Sequence, residues 1–393
     1  MNLTNASTRS RAKRRVVATA AILSLAVLAD AALAAPVPIV ATTSTKLVSS
    51  LDGWQNPEVF SFSADGHEHQ LSWSNSWSAE DIFAATNSVA APIGTAMSSN
   101  KISPTIAYYL GADGHVHQTL KPSTWQDRDL TAQAVGAPPA AANSSLNVLL
   151  MADGSSRIYY ITAATGHIQE IAVSAAGGTA STADVTASSG APLPASGSAM
   201  TSFLNGSSGI SEPRVYFLDA NGHVNELEFG TSGWHFLDVT NAAGGLAAVS
   251  GSAMTGSPLG GNPRVWYFTA DGHVQELAWG SGWHATDITN AAGNTPAVAG
   301  SALTSELSNG NPRIYYFSYD WHVRELAWGS GWHSGGDITA KAGGTAAAPG
   351  SSLASNYRSK GNVVWLFYVS PDNHVQELAY TGGWSHNDIN AQR

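Results

Sequence analysis

Between residues 252 and 289 the side chains fall into four short runs, and the strongest of them have a period of two. Ser252-Ala253-Met254-Thr255 comes first, Arg264-Val265-Trp266-Tyr267-Phe268 is β-branched and aromatic, His273 to Trp279 alternates polar with apolar positions, and Trp283 to Thr289 closes the set. Gly260-Gly261-Asn262-Pro263, Ala270-Asp271-Gly272 and Gly280-Ser281-Gly282 separate them. Runs of this length bounded by turn residues predict strands joined by hairpins, and so one four-stranded antiparallel sheet. The stretch Asn290–Ala299, rich in Ala, Gly and Pro, is expected to lead on to the next sheet.

The same order recurs along the chain. His223-Val224-Asn225-Glu226-Leu227, His273-Val274-Gln275-Glu276-Leu277, His322-Val323-Arg324-Glu325-Leu326 and His374-Val375-Gln376-Glu377-Leu378 are copies of one motif at intervals of about fifty residues. Weaker copies precede them: His167-Ile168-Gln169-Glu170-Ile171, His115-Val116-His117-Gln118 and His67-Glu68-His69-Gln70-Leu71. Residues 44–393 thus hold seven units. A four-stranded sheet of this size cannot bury both faces alone, so neighbouring units must stack. The expected fold is all-β, a seven-bladed β-propeller of four-stranded antiparallel blades. The last unit ends at its own fourth strand, so no strand is expected to be exchanged to latch the ring, unless Pro36–Thr43 supplies one.

Composition narrows what such a ring can do. Of 393 residues only 12% are charged, with 18 Lys+Arg against 28 Asp+Glu, while 43% are hydrophobic and 13 are Trp. A chain so aromatic and so weakly charged can bury a core and is not disordered. Its acidic balance, without a basic stripe, argues against nucleic acid. Arg9, Arg11, Lys13, Arg14 and Arg15 precede the apolar run Val16 to Leu28, and Ala32-Leu33-Ala34 has the small-x-small form of a cleavage site. Residues 1–34 therefore read as a secretory signal peptide cleaved near Ala34, 35–43 as a linker, and 44–393 as one extracellular propeller domain. Arg14-Arg15 leaves Sec and twin-arginine export both open. No later stretch could insert into a membrane, and with no cysteine the fold must rest on packing.

An enzyme needs one asymmetric constellation, whereas a multivalent binder repeats one. Arg214 and Glu226, Arg264 and Glu276, and Arg313 and Glu325 are each twelve residues apart, and Arg157 and Glu170 are thirteen apart, with the extra residue fitting in the loop Ala163–Gly166. A three-residue loop at Ala270-Asp271-Gly272 sets Glu276 opposite Trp266 and Arg264 opposite Ala278, so Arg264 and Glu276 become diagonal neighbours on one face. Trp279 then points to the other face. It can meet only the Arg and Glu of an adjacent blade, and Trp283 can border the same gap.

If each Arg/Glu pair meets the aromatics of the following unit, all four sets are complete; the reverse direction completes two. Unit two lacks the pair, and unit three, with Val173 and Gly177, lacks the aromatics, so the forward rule makes the gaps coincide. A guanidinium, a carboxylate and an indole face suit a sugar: two groups for its hydroxyls, one for a C–H face or a methyl. A 6-deoxy sugar such as fucose fits. The plainer alternative is cross-strand salt bridges with blade-packing tryptophans.

The motif Pro-Arg-Val-Tyr/Trp-Tyr/Phe, then Gly-His-Val-x-Glu-Leu-x-Trp/Phe, then Gly-Trp-His resembles the blades of fucose-binding β-propeller lectins. These comprise the fungal Aleuria type and, above all, the seven-bladed bacterial Photorhabdus type. The resemblance is strong from about Glu212 onward. It implies that Arg and Glu of one blade grip fucose while aromatics of the next stack on it. The implied sugar-binding sets are Arg157, Glu170, Phe229 and Trp234; Arg214, Glu226, Trp279 and Trp283; Arg264, Glu276, Trp328 and Trp332; and Arg313, Glu325, Tyr380 and Trp384. It implies fucosylated glycans or glycoproteins on cell surfaces as partners, with homo-oligomerisation left open. Unit one has Glu58 and Gln70 in place of Arg and Glu, unit two has Gln118 and no arginine, and unit seven keeps Glu377 but has Val364 or Trp365 for arginine. Those three clefts are expected to be silent or to bind something else.

Other readings carry less. One histidine per blade, with no close pair, predicts no metal site and no cofactor. Asp81, Asp129, Asp184, Asp238, Asp287, Asp337 and Asp388 recur in the fourth strand and read as structural turn contacts. No unit has the singular carboxylate pair that a glycoside hydrolase needs, so no enzyme is expected. A protein-binding scaffold without sugar affinity is the remaining alternative.

Overall fold

In the computed structural model the described residues are 45–392, without 93, 101–104, 176 and 206–211. The signal and linker assigned to residues 1–43 lie outside them. The described chain is seven four-stranded antiparallel sheets, each made of four consecutive strands. No strand among the described residues is exchanged between blades. Among them, too, no helix is long and apolar enough to cross a membrane.

Blade five shows how the sequence builds each unit. Its strands are Met254–Leu259, Asn262–Phe268, Val274–Trp279 and Trp283–Asp287. Trp266 lies opposite Glu276 and Arg264 opposite Ala278, the register expected from the hairpin loop. Several boundaries differ from expectation, the third strand for one beginning at Val274 rather than His273. The first strand starts at Met254 because the Ser252 hydroxyl is already committed, accepting a hydrogen bond from the Phe268 amide at 2.8 Å. The first turn narrows to Gly260-Gly261, with Asn262 and Pro263 entering the second strand. The fourth strand stops at Asp287, which caps a short helix, Ile288–Ala292, where strand and loop were expected.

That helix explains the recurring Asp-Ile-Thr. Asp287 Oδ1 accepts from the Asn290 amide at 2.9 Å, Ile288 is fully buried, and Thr289 Oγ1 accepts from the Val274 amide at 2.8 Å. Gly293, at φ 61°, ends the turn in a left-handed conformation that costs glycine little. The other oxygen of Asp287 meets His273 Nδ1 at 2.7 Å. The same histidine–aspartate contact is made in all seven blades, at 2.6–3.0 Å. The repeated histidines thus fasten the start of each third strand to the end of the fourth.

The core is divided among the gaps between blades. Among the described residues there are seven apolar clusters, and each joins two adjacent blades. One of them joins the first blade to the last, packing Val59, Leu71 and Trp77 on Trp365, Phe367 and Val375. Side-chain hydrogen bonds to the backbone reinforce that seam: Ser352 Oγ donates to the Thr45 carbonyl at 2.8 Å and Asn356 Nδ2 to the Ser50 carbonyl at 2.8 Å. The first strands surround a central cavity of about 530 Å³.

Candidate functional site

Each arginine of the four pairs lies on a second strand and each glutamate on the adjoining third strand, so their side chains leave one blade face together. Arg157 Nη1 donates to Glu170 Oε1 at 2.7 Å, and Arg264 Nη1 to Glu276 Oε1 at 2.7 Å. Arg214 pairs with Glu226 and Arg313 with Glu325 in the same way. The glutamates are buried, whereas the arginines keep part of their surface in solvent. At Glu226 burial lifts the carboxyl above its ordinary value, with the Arg214 guanidinium working against that rise. Burial also opposes the Arg214 charge, but Glu226, with help from Glu228, outweighs it and holds the guanidinium above its usual pKa. Glu228 bonds the second nitrogen of Arg214, an acid the other three pairs lack.

The aromatics come from the following blade. Trp332 Nε1 donates to Glu276 Oε2 at 3.1 Å, and the Arg264 guanidinium lies 5.8 Å from the centre of the Trp328 ring. Between blades four and five, Tyr216 and Trp283 are 6.4 Å apart edge to face. Between blades three and four, Tyr159 and Trp234 are 6.0 Å apart. Between blades six and seven, Arg313, Tyr315, Glu325, Tyr380 and Trp384 line one cavity of about 370 Å³, which Asn362 and Lys341 also border. All four expected sets are therefore brought together, each in a gap between two blades.

The two aromatics of a set stand differently. Trp279 and Phe229 are exposed, at 42% and 46%, while Trp283 and Trp332 are buried. Trp279 and Phe229 each present a free face, and the second aromatic packs edge-on against the first, with ring centres 5.8 Å apart for Trp279 and Trp283 and 5.4 Å for Phe229 and Trp234.

A tyrosine hydroxyl in the second strand went unnoticed in the sequence. Tyr159 donates to Glu170 at 2.9 Å and Tyr315 to Glu325 at 3.1 Å, with Tyr216 doing the same for Glu226. In blade five Trp266 replaces it. The signal was present: the tyrosine follows the arginine by two, so it shares its face.

The other three gaps are built otherwise. In the first, Glu58 stands in the arginine position and accepts from Gln70 at 2.7 Å and from Thr105 at 3.0 Å, while Lys121 sits 5.3 Å over Trp125. In the second, Ile106 takes the arginine position, opposite Leu120, and the Arg128 guanidinium fills the space where a side chain at Gly177 would stand. In the seventh, Trp365 rather than Val364 occupies the arginine position, opposite Ala379. Glu377 there accepts from Asn387 at 2.8 Å, and Arg358 covers Trp365 at 5.0 Å. The expectation of one histidine per blade also needs correction. His67 with His69, and His115 with His117, are stacked pairs with ring centres 6.5 Å apart, because residues two apart on a strand share a face.

Residues 246–391 match the family model for fungal fucose-specific lectins. They span the last three blades and two of the four Arg/Glu pairs. No curated protein matches the sequence. Among solved structures, the BP39L lectin from Burkholderia pseudomallei superposes with a TM-score of 0.63 at 15% identity, over 88% of this chain and 98% of that one. The lectin of Aleuria aurantia, described as a six-bladed propeller with a novel fucose recognition mode, gives 0.54 at 15% over 89% and 96%. AofleA from Arthrobotrys oligospora gives 0.54 at 18% over 76% and 88%. At these identities the superpositions show the propeller fold, and the family match supports a carbohydrate-binding lectin.

Proposed function

We propose that the protein is a secreted, non-enzymic lectin that binds L-fucose or fucosylated glycans in four clefts between adjacent blades, from blade three to blade seven. The observation that carries this reading is the cleft between blades five and six. There a guanidinium and a carboxylate from one blade face an indole pair from the next, inside the segment that matches fucose-specific lectins. Arg264 donates to sugar hydroxyl oxygens, Glu276 accepts from hydroxyls, and Trp328 covers the apolar face or the methyl. The Trp332 indole already holds one Glu276 oxygen, which fixes the carboxylate's direction before a sugar arrives. Several such clefts on one ring gain avidity on a glycan-coated surface.

Calorimetric titration with methyl α-L-fucoside tests the assignment. Arg264→Ala should reduce the number of sites per chain by one. Because this substitution leaves the buried Glu276 unpaired, Trp328→Ala serves as the second variant, and it should remove the same site. An unchanged stoichiometry in both folded variants would refute the site, and silence of the parent protein would refute the sugar.

A further inference from the structure

Blade two carries no complete sugar set, yet it departs from the repeat at three positions that converge on one point. In the other blades the residue after the second strand has an oxygen-bearing side chain, and where the turn has an aspartate that hydroxyl engages it: Thr269 Oγ1 donates to Asp271 at 2.6 Å, and Ser318 and Ser370 do the same for Asp320 and Asp372. Blade two has Gly111 there, so no hydroxyl ties down Asp113. Two residues beyond the repeated histidine blades three to seven carry Gln169, Asn225, Gln275, Arg324 or Gln376; blade two carries His117, and blade one His69, whose Nε2 meets the Ser63 hydroxyl at 2.8 Å where blade two has Gly111. Opposite Thr119 stands Asp127, where other blades have Ala79, Thr182, Phe236, Ala285, Ser334 or His386.

These changes give His117 two different sides. Its ring is 2% exposed, with Nδ1 3.3 Å from Asp127 Oδ2 and Nε2 3.1 Å from Asp113 Oδ2. Nδ1 makes no hydrogen bond, and Asp127 stands behind it at ion-pair distance, on the side from which a carboxylate supports an imidazole that binds a metal through Nε2. Asp129, held by His115 Nδ1 at 2.7 Å, completes the group, and ligand atoms of Asp113, His117 and Asp129 all lie within 4.8 Å of one another. Among the described residues no lysine or arginine pairs with Asp113, Asp127 or Asp129.

Blade six shows what this pocket accepts. There Arg324 takes the place of His117, and its guanidinium lies 2.7 Å from Asp320 and 3.2 Å from Asp337, the counterparts of Asp113 and Asp129. The same two carboxylates therefore hold a positive charge supplied by the chain. In blade two the chain supplies a neutral-capable ring instead.

We propose that Asp113, His117 Nε2 and Asp129 form a binding site for one divalent transition-metal cation. One imidazole and two carboxylates suit zinc, with water in the remaining position. The ion takes the place of the proton that His117 Nε2 shares with Asp113. It ties the turn after the second strand to the end of the fourth, a structural clamp in the blade that lacks a sugar set. Gly111 is part of the site, since a Cβ there would come within 2.5 Å of Asp113 Oδ1 and 2.9 Å of the His117 ring.

The test is calorimetric titration of the full chain, cleared of metal with EDTA, with zinc chloride at neutral pH. One equivalent should bind. His117→Gln, which installs the residue that blades three, five and seven already carry, should weaken binding at least tenfold while keeping the fold. Gly111→Ser, which restores the hydroxyl partner of Asp113, should also weaken it at least tenfold. Asp271→Asn, in the blade-five counterpart, should leave the isotherm unchanged. Absence of zinc binding, an isotherm unaffected by His117→Gln, or an isotherm weakened by Asp271→Asn would each overturn the assignment.

Discussion

Glu68 occupies a position where six blades have an aliphatic residue, Val116, Ile168, Val224, Val274, Val323 and Val375. It is fully buried, its partner within reach is the Thr119 hydroxyl at 3.0 Å, and burial pushes its carboxyl up to about 8. Between the ordinary glutamate value and 8 the folded state therefore holds a proton that the unfolded state has released, so stability falls as pH rises through that window. The shift corresponds to roughly 3 kcal/mol at pH 7. Glu68→Val should raise the melting temperature, with a gain that is large at pH 8 and disappears near pH 4.5. Thermal unfolding at both pH values measures this, and a pH-independent gain would mean that the carboxyl is not the cause. A buried carboxylate with a partner is a different case: Arg264 donates to Glu276 at 2.7 Å, and removing the arginine leaves a buried acid without its ion pair.

At the scale of the element, the fourth strand and its helix turn depend on one aspartate with two tasks. Asp287 caps Ile288–Ala292 through Oδ1 and holds His273 through Oδ2. Asp287→Ala should cost about 1–2 kcal/mol, the usual range for a lost cap, with the histidine contact adding to it. Amide hydrogen exchange should quicken in Trp283–Ala292 and leave Met254–Phe268 largely unaffected. Asp287→Asn, which keeps the capping oxygen, should recover most of the loss. Uniform destabilisation of the whole blade would show instead that the clamp acts through the third strand.

For the whole molecule, stability lies in seven interfaces of similar kind, so the ring needs every blade. A chain beginning at residue 95 would lose blade one and leave the apolar surfaces around Tyr109 and Phe367 without their partners in two clusters. Such a chain should unfold with reduced cooperativity and aggregate, as seen by calorimetry and light scattering. The ring also sets the spacing of the clefts. On a surface dense in fucosides, retention of the intact protein should exceed its single-site affinity by about 10²–10⁴. Arg264→Ala should lower that retention only in part, replacing three of the four arginines should reduce it to the monovalent level, and replacing all four should abolish it.

Sequence alone determined the repeat and its count, because alternation and turn residues are local and each histidine marks its unit. It also determined the register that joins Arg264 to Glu276, since a hairpin loop of known length leaves one pairing. The direction in which blades share aromatics was legible too, from where Val173 and Gly177 break the pattern. Other features depend on groups that meet only once sheets stack. The tertiary structure decided that Trp332 directs the Glu276 carboxylate, that Arg128 fills the second gap, and that Trp365 rather than Val364 stands in for arginine. It also decided that Gly111, just past its strand, and His117 and Asp127 within theirs converge on one point. Periodicity records which face a residue takes, and only packing settles what waits on the other side.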